Sequence, residues 1–127
     1  MRIKLNQKPS EHDEQAAFFK LDRYAAGADH RLQNIFAIPN AGKRTIGAYL
    51  YYQAEGLEPG VPDVCVCWPS GKYHGAYIEF KKPGAKPTAR QALWHDRLKA
   101  AGYAVAVLYS ADSAWSWLTS YLNGELK

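Results

Sequence analysis

The feature that most constrains the fold is a pair of strand-forming segments joined by a turn, residues 64–68 and 77–80. The first segment reads Val-Cys-Val-Cys-Trp and the second reads Tyr-Ile-Glu-Phe. Both segments are rich in the β-branched and aromatic residues that favour strands. Residues 69–72 between them read Pro-Ser-Gly-Lys, a sequence typical of a turn. The two segments therefore predict an antiparallel hairpin.

One face of the second predicted strand carries charged side chains. Because side chains alternate along a strand, Glu79 and Lys81 share a face with Tyr77. The apolar Ile78 and Phe80 occupy the opposite face. The strand therefore presents a carboxylate and an ammonium group side by side.

The turn determines which residues of the two strands lie opposite each other. A hairpin centred on the turn glycine pairs Cys65 with Tyr77. The same register pairs Asp63 with Glu79, whereas a slip of one residue would move one carboxylate to the other face. Directly opposed residues have Cβ atoms about 5 Å apart, so two carboxylates placed there repel each other. A divalent cation between them removes this conflict, and Mg²⁺ binds through one or two carboxylates. With Lys81 able to hold or polarise a water, this pattern predicts a site that hydrolyses phosphodiesters.

The same three residues resemble the PD-(D/E)XK nuclease superfamily: Asp63 matches its aspartate, Glu79 its glutamate and Lys81 its lysine. Further segments resemble the virus-type replication-repair nuclease (VRR-NUC) family, and they occur in the expected order. These segments are Glu11-x-x-x-Gln15, Ala37-Ile38-Pro39-Asn40-x-Gly42-x-Arg44, Gly60-Val61-Pro62-Asp63, Ile78-Glu79-x-Lys81 and Gln91. The similarity runs from about Ser10 to Leu122, which is nearly the whole chain.

The resemblance implies a metal-dependent DNA endonuclease that leaves 5′-phosphate and 3′-hydroxyl ends. It implies Mg²⁺ or Mn²⁺ as cofactor, with a ligand set comprising Asp63, Glu79, the Phe80 carbonyl and Glu11. It also implies a homodimer that prefers branched DNA such as Holliday junctions, since a two-fold dimer can cut two strands symmetrically. A phage or prophage gene expressed in the cytoplasm of a bacterial host is implied as well. The alternatives are a nuclease directed by base sequence or by flaps, and a non-catalytic DNA-binding accessory protein.

The first predicted helix runs from Glu11 to about Ala26. Ser10 is its N-cap, and Asp13 three residues later predicts a capping box. An apolar stripe at helical spacing comprises Ala17, Phe18, Leu21 and Ala25.

Acidic residues at the start of a helix usually complement the helix dipole and need no other explanation. For Glu11 the resemblance favours a place in the metal site, with Glu14 as the second choice. Gln15, one turn after Glu11, becomes a candidate DNA contact on the same helical face.

Two loops supply further candidate DNA contacts. Asn40, Lys43 and Arg44 follow a short predicted strand, and Lys82 and Lys86 follow the Glu-x-Lys strand. Basic and amide side chains are the groups that most often contact phosphates in protein–DNA complexes. The alternative interpretation is a pair of solvated surface loops.

Thr88-x-x-Gln91 predicts a second capping box, which is a sufficient structural explanation for Gln91. The resemblance instead gives Gln91 a role in orienting Lys81 or a water, and we favour the active-site role. The remaining predicted strands are one within 32–38 and one at 103–109 that is buried on both faces. The remaining predicted helices run from about 43 to 55, from Ala89 to about Ala101, and from a cap at Asp112 or Ser113. The packing stripe predicted for the helix after Thr88 comprises Leu93, Trp94, Leu98 and Ala101. This order predicts an α/β fold with a restriction-endonuclease-like core, in which helices flank a central mixed sheet.

Composition excludes several other classes of protein. A chain of 127 residues with 47% hydrophobic residues predicts a single globular domain over 1–127, with 1–9 as a loose N-terminal arm. The net charge of +4 favours a polyanionic partner.

Cys65 and Cys67 are poorly placed to form a disulfide with each other and fit a reduced cytoplasm. We find no signal peptide or long apolar span, and no element suited to base-specific readout, which favours recognition of DNA shape.

Overall fold

The computed structural model describes residues 8–39 and 45–126, so Asn40, Lys43 and Arg44 and most of the predicted arm lie outside the described residues. Within these residues the strands are β1 (Ile35–Ala37), β2 (Val64–Val66), β3 (Ala76–Phe80) and β4 (Ala104–Leu108). The helices of the same residues are α1 (Glu11–Ala25), α2 (Ile46–Ala54), α3 (Ala89–Ala100) and α4 (Ala111–Leu122), with a 3₁₀ turn at His30–Asn34.

The four strands form one mixed sheet in chain order. β1 and β2 pair antiparallel, as do β2 and β3, whereas β4 lies parallel to β3. The parallel pair is possible because α3 carries the chain back to the start of the sheet between β3 and β4. The predicted α/β fold with a mixed central sheet is confirmed. No helix in residues 8–39 and 45–126 is both long and apolar enough to span a membrane.

The main core lies between α1, α4 and one face of the sheet. Phe18 of α1 is fully buried, and its ring lies 5.8 Å from that of Phe80 and 6.1 Å from that of Trp115. Tyr121 of α4 is also buried, and its hydroxyl donates a hydrogen bond of 2.6 Å to the Trp68 carbonyl. On the opposite face of the sheet, His95 of α3 approaches the side chain of Glu79. The helices therefore flank both faces.

Local capping signals were predicted well, with one exception. Ser10 and Asp13 form the predicted capping box of α1. The N-cap of α4 is Ser110, whose hydroxyl accepts a hydrogen bond from the Ser113 N–H, so the prediction of Asp112 or Ser113 as cap was wrong. β4 ends at Leu108, and Ser110 is the first residue after it whose side chain can cap a helix, so α4 begins directly after Ser110.

Three predictions that depended on burial patterns were wrong in whole or in part. α1 buries Phe18 and Asp22, while Leu21 is 39% exposed and Ala17 is exposed too. β4 was predicted to be buried on both faces, but it is the last strand of the described sheet, and its residues after Ala104 are only partly buried. α3 turns His95 rather than Leu93 into the protein interior.

Of the two predicted elements on either side of residues 40–44, only the helix begins at a different residue. A 3₁₀ turn occupies His30–Asn34, and β1 at Ile35–Ala37 lies within the predicted range 32–38. Thr45 caps α2, and its hydroxyl accepts a hydrogen bond from the Ala48 N–H, so this helix begins at Ile46 rather than near residue 43.

Candidate active site

The β2–β3 hairpin brings the two predicted carboxylates together. Cys65 lies opposite Tyr77, so the predicted register is confirmed, and Asp63 immediately before β2 faces Glu79. One carboxylate oxygen of Asp63, Oδ2, accepts a hydrogen bond of 2.8 Å from the Phe80 N–H. The Asp63 carbonyl accepts another of 2.7 Å from the Ile38 N–H, which extends the β1–β2 ladder. Both bonds hold Asp63 at the end of the sheet with its carboxylate directed towards β3.

Glu79 is an unusually buried acid, with only 2% of its surface exposed. Burial raises the pKa of Glu79 to about 9, and a side-chain hydrogen bond with Asp63 and the negative charge of Asp63 contribute in the same direction. The positive charge of Lys81 lowers the pKa and offsets part of this effect. The Oε1 atom of Glu79 is buried without a hydrogen-bond partner in the described residues.

This environment fits a divalent cation. An ionised carboxylate buried beside a second acid is costly unless a positive charge compensates it, and oxygen ligands of this kind suit Mg²⁺. Asp63 and Glu79 provide two such groups on adjacent strands. The donor set present therefore matches the cofactor that the sequence pattern predicted.

Lys81 follows β3 directly, and its backbone N–H donates a hydrogen bond of 3.0 Å to the Leu108 carbonyl of β4. Its side chain is partly buried. The charge of Lys81 lowers the pKa values of both Glu79 and His95, because the ammonium group lies on their side of the sheet. Alternation along the strand places Lys81 on the same face as Glu79, and its action on a bound water stays a prediction.

Sequence reasoning overlooked His95 of α3. Its Nε2 atom lies 3.5 Å from Glu79 Oε1, and the histidine is only 6% exposed. Burial lowers the pKa of His95, and the charge of Lys99 adds to this effect. A signal was available in the sequence, because His95 lies four residues after Gln91 and therefore shares its helical face.

The start of α1 forms the open side of the site. Glu11 and Gln15 line a cavity of about 540 Å³ together with Asp63, and His12 and Arg23 line it as well. Within residues 8–39 and 45–126, however, no three His, Cys, Asp or Glu side chains form a group that could hold a metal ion together. Glu11 therefore shares a cavity with Asp63, and its role as a ligand stays a prediction.

Glu14, the second choice for the metal site, has a different partner. Its carboxylate accepts a hydrogen bond of 3.3 Å from the Ala111 N–H at the start of α4. A carboxylate at a helix N-terminus is stabilised by the helix dipole. This contact gives Glu14 a structural role in joining α1 to α4.

Gln91 forms the capping box that the sequence predicted as an alternative to an active-site role. Its Oε1 accepts a hydrogen bond of 2.9 Å from the Thr88 N–H, and its own N–H donates one of 3.2 Å to the Thr88 hydroxyl. The predicted capping role of Gln91 is therefore confirmed, and its role in orienting Lys81 or a water stays a prediction. Lys82 and Lys86 are exposed in the loop between β3 and α3, and their role as DNA contacts stays a prediction.

The segment that leads into Asp63 is held against α3. Gly60 has a φ of +90°, and a Cβ atom there would lie 2.9 Å from Cγ and 3.0 Å from the backbone of Arg90. Arg90 in turn donates a hydrogen bond of 3.2 Å from Nε to the Pro59 carbonyl. A glycine is therefore required where the backbone of this segment passes over α3. This packing fixes the position of Asp63 relative to the helix that carries His95.

Comparison with known proteins agrees with the geometry of this site. The family model of the VRR-NUC domain matches residues 3–112. The chain belongs to the VRR-NUC domain family. Membership identifies it as a nuclease domain, which agrees with the paired carboxylates and the adjacent lysine.

One relative in sequence supports this assignment, and one solved structure shares the fold. The VRR-NUC domain described here is 44% identical over 69 residues to p44 of Acyrthosiphon pisum secondary endosymbiont phage 1, a protein whose name proposes a nuclease. The match covers 54% of this chain and 72% of the phage protein. A solved structure of a VRR_NUC domain protein superimposes with a TM-score of 0.74 over 92% of each chain. At 20% sequence identity, that likeness shows the shared fold.

Proposed function

We propose that this VRR-NUC domain is a divalent-metal-dependent DNA endonuclease. The observation that carries the proposal is the pair formed by Asp63 and the buried Glu79, whose carboxylates meet across adjacent strands. A purely structural core has no use for two facing acids, because each raises the cost of ionising the other. A nuclease domain that binds a cation at this position uses both of them.

The proposed cofactor is Mg²⁺ or Mn²⁺, and its proposed ligands are Asp63, Glu79, the Phe80 carbonyl and Glu11. When bound, the cation neutralises negative charge that develops on the scissile phosphate and on the leaving oxygen. Asp63 is held ready for this role by the hydrogen bond from the Phe80 N–H. Glu11 lies across the cavity that Asp63 lines, on the side that solvent and substrate can enter.

Lys81 positions the attacking water and, as a cation, also favours the ionised form of Glu79. Gln91 is proposed to orient Lys81 or the water through its amide group, in addition to capping α3. The products are a 5′-phosphate and a 3′-hydroxyl.

DNA approaches from the side of the α1 cavity in this proposal. Gln15 contacts the substrate beside Glu11, and Lys82 and Lys86 contact phosphates from the loop after β3. Neutralisation of phosphates by lysine side chains makes DNA binding depend on salt concentration. Asn40, Lys43 and Arg44 lie outside the described residues, and they are proposed as further DNA contacts on the sequence pattern alone.

The proposed substrate is branched DNA, cut by a homodimer. Support for the dimer comes from α2, which carries no charged residue and exposes 80% of Ile46, 57% of Leu50 and 64% of Tyr51. Monomeric soluble proteins rarely expose contiguous apolar surface of this kind. A second copy of the chain suits the surface because an uncharged helix avoids repulsion between two chains of net charge +4.

The substrate proposal is tested with end-labelled DNA in Mg²⁺ or Mn²⁺. An immobile four-way junction and a matched linear duplex are incubated with the wild type and with Asp63→Ala. Paired cuts near the branch, absent from the duplex and from the variant, are expected. Equal cutting of the duplex would support nuclease activity but contradict the preference for branches. Cuts that follow base sequence or flaps would favour a nuclease directed by sequence or by flaps. Binding without cutting of any DNA would favour a non-catalytic accessory protein.

The dimer proposal has a separate test in light scattering coupled to gel filtration at micromolar concentration. The wild type is expected to elute as a dimer and Leu50→Glu as a monomer. Tyr24→Glu is the control, because Tyr24 is also an exposed large side chain, 91% exposed, and belongs to α1 instead of α2. A monomeric wild type would contradict the proposal.

A further inference from the structure

Two buried polar atoms face each other behind the candidate metal site. Nε2 of His95 and Oε1 of Glu79 lie 3.5 Å apart, and neither atom has a hydrogen-bond partner in the described residues. Both side chains are more than nine-tenths buried. Leaving a buried donor or acceptor unpaired costs about 1–3 kcal/mol, so two such atoms in one place require an explanation.

A simple packing role for His95 does not provide that explanation. The neighbouring positions on the interior side of α3 are Trp94 and Leu98, which are apolar and partly buried. An apolar residue at position 95 would continue this face without the cost of burying an imidazole. The His95 imidazole therefore stabilises the protein only if the Glu79 carboxyl group takes a form that needs a hydrogen-bond donor.

We propose that His95 is a positioning residue that holds Glu79 in the orientation needed to bind the cation. When Glu79 is ionised in the metal-bound protein, the His95 Nε2–H donates to Oε1 and leaves the second carboxylate oxygen free for the metal. Hydrogen bonds from neighbouring side chains commonly orient metal-binding carboxylates in this way. The inference rests on the proposed function, because it assumes that Asp63 and Glu79 bind a cation.

Direct ligation by His95 is a different possibility, and the geometry does not favour it. His95, Glu79 and Asp63 do not form a group that could hold a metal ion, within residues 8–39 and 45–126. Carboxylate and carbonyl oxygens also suit Mg²⁺ and Mn²⁺ better than imidazole does. His95 therefore acts on the cation through Glu79.

Three substitutions separate a hydrogen-bond role from a packing role. His95→Leu fills the space without a donor. His95→Gln carries its amide nitrogen about as far from the backbone as the imidazole Nε2, whereas His95→Asn reaches only about as far as Nδ1. The two amides are similar in polarity, so only the reach of the donor distinguishes them.

The measurement is the Kd for Mn²⁺ by isothermal titration calorimetry of the DNA-free protein. His95→Leu and His95→Asn are expected to raise the Kd by roughly 10–100-fold, the range seen when outer-shell partners of metal ligands are lost. His95→Gln is expected to bind Mn²⁺ with a Kd close to that of the wild type. Thermal unfolding in EDTA shows for each variant that the fold is retained.

The outcomes distinguish this inference from the proposed function. Wild-type Kd values for all three variants would overturn the role of His95 and leave the metal site intact. Equal weakening by all three, Gln included, would indicate packing and would also overturn it. If the wild type bound no Mn²⁺, or if Asp63→Ala bound it equally well, the metal site would fail and the role of His95 with it.

Discussion

Replacement of Glu79 by glutamine is expected to stabilise the metal-free protein while removing its activity. Burial and Asp63 raise the pKa of Glu79 to about 9, from an ordinary value of 4.5. At pH 7.5 the native protein therefore keeps a proton on this group that the unfolded chain has lost. Glutamine has the same shape, can still donate a hydrogen bond to Asp63, and needs no proton.

The size of the effect follows from proton linkage. Three pH units separate the ordinary pKa from pH 7.5, and each unit corresponds to about 1.4 kcal/mol, so the gain is up to about 4 kcal/mol. For a domain of this size that is a rise in Tm of up to roughly 15 °C. Since the native state holds the extra proton between about pH 4.5 and 9, the stability of the wild type falls relative to Glu79→Gln as pH rises through this window.

The assay is guanidinium unfolding in EDTA at several pH values between 5.5 and 8.5, with Glu125→Gln as a control for the loss of an exposed carboxylate. Addition of Mg²⁺ should narrow the difference, because a cation that binds only the native wild type stabilises it by mass action. A Glu79→Gln variant that is less stable than the wild type at pH 7.5 without metal would refute the reasoning. So would a difference between the two proteins that does not change with pH.

Three further predictions concern neighbouring residues. Lys81→Ala should lower the cleavage rate on the order of 10²–10⁴-fold in a single-turnover assay, the usual contribution of a positioned proton-transfer group, whereas the exposed Lys82→Ala should weaken only DNA binding. Gln91→Ala should lower the free energy of unfolding by about 1 kcal/mol, whereas Gln91→Glu should leave it unchanged because glutamate also completes the capping box. If the Gln91 amide acts in the site, both variants should cleave DNA more slowly than the wild type. Normal cleavage by Gln91→Glu would limit the role of Gln91 to capping. Tyr121→Phe should cost about 1 kcal/mol in denaturant unfolding through loss of the bond to the Trp68 carbonyl, without changing the cleavage rate, and an unchanged midpoint would contradict this.

The parts of the site that local rules govern could be predicted from sequence. Alternation along a strand placed Glu79 and Lys81 on one face, and the turn glycine set the register that brings Asp63 opposite Glu79. The capping boxes at Ser10 and Thr88 were predictable for the same reason, because each closes within four residues of the chain.

The parts that depend on tertiary packing could not be predicted. The apolar run of β4 indicates a strand but does not reveal that this strand lies at the end of the described sheet and is only partly covered. The stripe through Leu21 does not reveal that α1 turns Asp22 inward. The spacing of His95 from Gln91 shows only that the two residues share a helical face, and it does not reveal that α3 packs this face against Glu79.

The most direct test of the central claim is the cleavage activity of Glu79→Ala in Mg²⁺ on labelled duplex, fork, flap and four-way junction DNA. The wild type is expected to cut at least the branched substrates and leave 5′-phosphate ends. Glu79→Ala is expected to cut none of them, while it still binds DNA and unfolds cooperatively. Full activity in this variant would contradict the assignment of the Asp63–Glu79 pair as the catalytic metal site.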